Sequence, residues 1–233
     1  GHFGHETLPM SFVKETALNG LQHGFQVCSH AIGDRANREI LDRYEAAFDE
    51  LPEMTGDHRF RIEHAQHLHP EDIPRFAELG VIPAMQAIHL SSDRPWAIDR
   101  LGEKRIVEGA YMWQSLLQSG IPIVNGTDVP VEPLDPIASL YASFTRKTLK
   151  GTPEGGYEPE QKMTREQALK SYTLDAAYGA FEEDIKGSIT AGKLADFTIY
   201  NQDLMTVPEA DFLDTEVVMT IFDGKVVYRK GEE

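Results

Sequence analysis

The sequence predicts an α/β protein built on a parallel sheet, and three observations predict it. Four short β-forming runs each lead into a helical pattern, and the returns to the next strand turn on Gly20, Gly80 and Gly120. The fourth run, residues 121–125, has few polar side chains, as a strand covered on both faces would. Beyond about residue 184 the pattern changes to strands alone, closed by an Asp223-Gly224 hairpin turn.

Taken in order, residues 11–19 read as a short helix ending at Gly20, and residues 25–29 as the first strand. Ile40, Tyr44, Ala47, Phe48 and Leu51 recur at helical spacing, which predicts a helix over 34–51 opened by Asp34. The second strand is 60–63. Pro70 opens a short helix with Ile73, Phe76 and Ala77 facing inward, and the third strand is 81–87. A polar loop over 89–103 leads to a helix over 106–118, with Trp96 anchoring the loop and Trp113 in the core. A helix over 135–149 follows the fourth strand, then a Gly/Pro-rich loop over 151–160. Thr164-Arg165-Glu166-Gln167 is a capping box that opens a helix to about Tyr172. Strands over 195–200, 217–222 and 225–228 complete the chain, so the expected division is a main domain over 1–184 and a small β domain over 185–233.

Length and charge bound the function. A chain of 233 residues holds one large domain, or one with a small appendage. A net charge of -16 disfavours nucleic acid as a partner, because phosphate binding needs clustered Lys and Arg. No apolar run approaches the roughly 18–20 residues of a membrane helix, which leaves a soluble, cytoplasmic protein as the expectation. The single cysteine, Cys28, allows no internal disulfide and is expected to be a buried thiol in its strand.

Chemistry is expected where the strands end. Parallel βα folds carry their sites at the carboxyl ends of strands, and His30, His64 and Asp128 all stand there. Imidazole nitrogen and carboxylate oxygen are common ligands of Zn²⁺ and related divalent ions. Singly, each residue reads as well as a hydrogen-bonded strand end or a turn cap; jointly, over three strands, they point to one shared polar site. Glu63 is expected to face away from whatever His64 faces and to form a salt bridge. His67 and His69 read as surface residues, His2 and His5 are not assigned as ligands, and Asp34 caps its helix or, with Arg35, supports the ligands.

The stretches SHAIGDRAN, RIEHAQ, NGTDVPVEPLDP, YTLDAAYGAF and GSITAGKLADFTIYNQD, in this order over nearly all of residues 24–230, resemble the metal-dependent amidohydrolase superfamily. The likeness is to the C-terminal half of its YtcJ-like branch, which contains N-substituted formamide deformylase and AepA-like proteins. The resemblance implies strands 5 to 8 of a distorted (β/α)8 TIM barrel, with the tail supplying strands of a small β-sandwich. It implies that His30 and His64 are metal ligands after strands 5 and 6. Asp128 would be the strand-8 ligand and the general base acting on the hydrolytic water. Gln86 and His89, after strand 7, are candidate substrate-facing residues, or hold their loop.

The implied reaction is hydrolysis of an amide or related C–N bond in a small molecule by metal-activated water, with Zn²⁺, or alternatively Fe or Mn, as the divalent metal. The family pattern also needs a His-x-His pair after strand 1 and an acidic bridging group from strand 4, and the sequence contains neither. The expectation is therefore a fragment that packs against a missing N-terminal half or a second copy of itself. The alternative is a non-catalytic half-barrel scaffold that associates with another chain.

Overall fold

Residues 5–232 are described in this computed structural model. Four strands, β1 (Cys28–Ala31), β2 (Arg61–His64), β3 (Ile82–Met85) and β4 (Val124–Asn125), form a parallel sheet in chain order. Parallel neighbours require crossovers. These are α2 (Asp34–Glu50), then α3 (Ile73–Leu79), then the run α4 (His89–Leu101), α5 (Glu103–Gly109) and α6 (Trp113–Ser119). Helix α1 (Met10–His23) precedes β1, and α7 (Pro136–Thr145), α8 (Arg165–Tyr172) and α9 (Leu174–Gly179) follow β4.

The two faces of the sheet differ. Ser29, Ile62 and Pro83 are in register on one face, where the Tyr44 hydroxyl of α2 donates to Ser29 Oγ at 2.7 Å. Tyr44, Leu41, Ala47, Phe60 and Ile62 are fully buried there, with the Tyr44 and Phe60 rings edge to face at 5.1 Å. On the other face Cys28 pairs with Arg61 and His30 with Glu63. Among the described residues no helix seals that face: Cys28 and His30 are exposed, and Arg61 and Glu63 are half-buried. The expected buried thiol is thus an exposed one, because the face it lies on lacks a cover. Its pKa is raised, chiefly by partial burial, with Arg61 pulling the other way.

Several boundaries move for identifiable reasons. Helix α1 continues through Gly20 to a left-handed Gly24 cap. Gly20 instead serves close packing, since a Cβ there would lie 2.4 Å from Val27 Cγ2. The expected polar loop over 89–103 is α4, which buries Leu90, Arg94 and Ala97 on one face despite Pro95 and places Trp96 half-exposed on a helix. The single helix expected over 106–118 is two. The chain breaks at Tyr111 (φ 53°), whose amide donates to the Gln66 carbonyl, while Ala110 bridges to His67 and Trp113 is buried in the core as expected. Strand pairing is shorter than the apolar runs, and α9 was not expected. The Asp135 side chain caps α7, and the Thr164–Gln167 capping box opens α8 as the sequence indicates.

Strands β5 (Phe197–Tyr200), β6 (Val217–Phe222) and β7 (Lys225–Arg229) form a separate antiparallel sheet, turned by Asp223 and Gly224 at φ 49° and 72°. The linking segment ties this tail to the helices: Phe212 is buried against Phe144 with centroids 4.8 Å apart, and Arg165 donates to the Leu204 and Val207 carbonyls. No helix among the described residues is long and apolar enough to cross a membrane.

Candidate active site

Four strands deliver polar groups to one rim. His30 projects from β1, His64 ends β2, Gln86 follows β3, His89 opens α4, and Asp128 follows β4. The His30 and His64 rings meet edge to face with centroids 4.5 Å apart, and His64 stacks on His89 at 5.9 Å and 25°. His89 Nε2 lies 3.8 Å from Asp128 Oδ2.

His64 reaches this cluster through its backbone. Its φ is 77°, and that of Ala65 is 42°, both in the left-handed region that non-glycine residues enter at a cost of about 1 kcal/mol or more. Asp128 shares the feature at φ 60°. Regular alternation therefore fails at His64. Glu63 is in register with His30 and acts electrostatically on it, rather than facing away from the site, while still making the expected salt bridge, to Arg61 at 2.9 Å.

Partial burial, and then the adjacent His64, hold His30 below the usual histidine pKa, against opposite pulls from Asp128 and Glu63. A lowered value favours the neutral imidazole that a metal requires. His64 Nδ1 lies 2.7 Å from Gln86 Oε1. His89 Nε2 is buried without a hydrogen-bond partner, since Asp128 stands just beyond bonding distance. An orphaned ring nitrogen beside a carboxylate, and two imidazoles in edge contact, are the kinds of donor a divalent ion takes. Yet among the described residues no three or more His, Cys, Asp or Glu side chains converge as a metal site. The donors fit an ion in kind, as an incomplete set.

Other candidate residues lie elsewhere. His67 is buried rather than at the surface: the segment after β2 pairs with Ala110, and burial depresses the imidazole to about 4. His69 is half-exposed and bonds to Arg38. Gly33, not Asp34, is the N-cap of α2; Asp34 sits in the first turn and receives a two-pronged contact from Arg105 on α5. His2 lies outside the described residues. A concavity lined by Leu117, Ile121, Pro122, Asp175 and Tyr178 sits before β4, at the end of the strand opposite Asp128.

Sequence reasoning missed two polar networks beside the rim. Glu158 receives both Arg94, at 2.6 Å, and Arg146, at 3.2 Å, and all three side chains are buried. Arg146, at the end of α7, also donates to the Tyr111 and Tyr157 carbonyls, tying the 151–160 loop to α7 and to the break between α5 and α6. Gln66 donates to the Tyr111 hydroxyl and to Asp93. The Arg94–Glu158 partners are 64 positions apart, so no local pattern reports them.

Comparison with known proteins gives a consistent picture. The family described as "Amidohydrolase family" matches residues 4–228. The chain is 34% identical over 227 residues to Protein LONG AFTER FAR-RED 3 of Arabidopsis thaliana, covering 97% of this chain and 38% of that protein. It is 33% identical over 210 residues to the putative amidohydrolase YtcJ of Bacillus subtilis (strain 168), covering 90% and 39%. An uncharacterized metal-dependent hydrolase from Pyrococcus furiosus superposes with a TM-score of 0.73 at 29% identity, over 88% of this chain and 39% of that one. The chain thus spans about two fifths of the length of the curated relatives it matches.

Proposed function

The chain belongs to the amidohydrolase family, and on that premise we propose that it supplies part of the active site of a metal-dependent hydrolase acting on an amide or related C–N bond in a small molecule. The observation that carries this reading is the edge contact of His30 and His64 on the rim that also holds Asp128. His30, His64 and Asp128 would hold the divalent ion, with Zn²⁺ expected from their nitrogen and oxygen donors and Fe or Mn as alternatives. Such an ion supplies a lowered water pKa and polarisation of the substrate carbonyl. Asp128 accepts the proton of the attacking water and returns it to the leaving nitrogen. His89, beside Asp128 with an unpartnered nitrogen, faces the substrate.

Residues 1–184 would then be strands 5 to 8 of a (β/α)8 barrel and residues 185–233 part of a β-sandwich. The incomplete donor set and the two outer edges of the sheet, at β1 and β4, support a site finished by further strands, from a longer form of the chain or another copy. The same incomplete set favours the second reading, a non-catalytic scaffold. Metal analysis separates the two. The chain, alone and joined to the preceding strands of its relatives, is titrated with Zn²⁺, Mn²⁺ and Fe²⁺. Stoichiometric binding to the joined form, lost in His30→Ala and His64→Ala, is expected. No binding above background in the joined form would leave the scaffold.

A further inference from the structure

We propose that Gln86 is a positioning residue that sets the tautomer of His64, protonating Nδ1 so that Nε2 is the nitrogen left to accept. Gln86 Nε2 lies 3.3 Å from the Ala84 carbonyl, which can only accept a hydrogen bond. That contact orients the side-chain amide. The end of Gln86 turned to His64 is therefore the oxygen, Oε1, 2.7 Å from Nδ1, and an oxygen acceptor requires the proton on Nδ1. Neutral imidazole carries one ring proton, so Nε2 keeps its lone pair.

Gln86 is itself held in place. The next two amides donate to side chains from neighbouring elements: Ala87 to Asn125 Oδ1 at 3.1 Å, and Ile88 to Ser139 Oγ at 3.2 Å. Asn125 donates in turn to Ser143 Oγ at 3.3 Å, and Asn125, Ser139 and Ser143 are buried. A chain of contacts thus runs from α7 through β4 to Gln86 and ends on His64. His64 needs such an anchor, because its left-handed backbone takes it out of the strand's alternation. Contacts with His30 and His89 restrain the ring plane, but neither chooses which nitrogen holds the proton.

The assignment rests on the metal reading above only for the destination of Nε2. It is tested on the metal-free chain, labelled with ¹⁵N, by long-range proton–nitrogen correlation above the imidazole titration range. The expected result is His64 as the Nδ1–H tautomer, shifting toward Nε2–H in Gln86→Leu and restored in Gln86→Glu, which keeps an oxygen acceptor. Zn²⁺ affinity of the form joined to the preceding strands should fall about 10- to 100-fold in Gln86→Leu and recover in Gln86→Glu. An Nε2–H tautomer in the unsubstituted chain overturns the proposal without any variant, as does a His64 spectrum unchanged by Gln86→Leu. If the tautomer behaves as expected while Zn²⁺ leaves the His64 signals of the joined form unmoved, the metal reading fails and the role of Gln86 stands.

Discussion

His67 shows how position within the fold decides what a histidine does. It stands three residues beyond His64, yet it is buried under the 110–112 segment, with Nδ1 unpartnered and its pKa depressed to about 4. Desolvation is the main cause, with Asp34 and Asp93 opposing it. Unfolded, the ring titrates near the ordinary histidine value, so between that value and about 4 the unfolded state binds the extra proton. Stability is therefore fully present at neutral pH and lost as pH falls through that window. The loss attributable to His67 should approach about 3 kcal/mol. Urea melts of the chain and of His67→Gln at stepped pH check this: the variant should show a shallower acid decline over the window. Parallel curves would remove His67 as the cause. His30 is likewise held low chiefly by burial, there only partial, and a second imidazole adds to the effect.

At the scale of elements, helices whose stops and starts carry their own chemistry behave as local pattern dictates. Thr164 and Gln167 close a reciprocal cap on α8, and Asp135 accepts from the Ile137 amide to start α7. The break between α5 and α6 is different, because it is imposed from outside. Leu68 donates to the Gly109 carbonyl, and a Cβ on Gly109 would sit 1.9 Å from the Leu68 oxygen. Backbone that cannot yield makes Gly109→Ala cost at least about 1–3 kcal/mol, although alanine is the better helix former by about 1 kcal/mol. Chemical denaturation decides between these two effects. A variant as stable as the parent would mean that the segment after β2 moves away freely. Since this contact also positions Tyr111 against Gln66, the substitution should loosen the floor beside His64.

For the whole molecule, the consequence of the fold is an unfinished sheet. The outer strands β1 and β4 have no further neighbours among the described residues, and the face bearing Cys28 and His30 is open. Exposed edges pair readily with other strands, and large apolar side chains such as Phe25, Val131, Leu134 and Ile189 add exposed area at several places. The expected outcome in sedimentation or size-exclusion chromatography is association with itself, or with added strands of the relatives, above the 26.1 kDa of one chain. A well-behaved monomer that ignores those strands would count against completion by a partner. Electrostatics work the other way: a charge of -16 resists close approach of like chains, so association should strengthen with salt.

The sequence by itself determined the α/β class, the four strands of a parallel sheet, the Thr164–Gln167 cap of α8 and the strand ends on which His30, His64 and Asp128 stand. These follow from periodicity, turn chemistry and the polarity of strand ends, which are local. Tertiary structure alone decided that Gln86 holds His64, that His67 is buried, that Glu63 shares a face with His30 and that Arg94 and Arg146 meet on Glu158. Those outcomes depend on groups distant in the chain, and on left-handed backbone at His64 and Asp128 that surrounding packing enforces against local preference. No residue-by-residue pattern encodes an arrangement whose cause lies on a neighbouring strand.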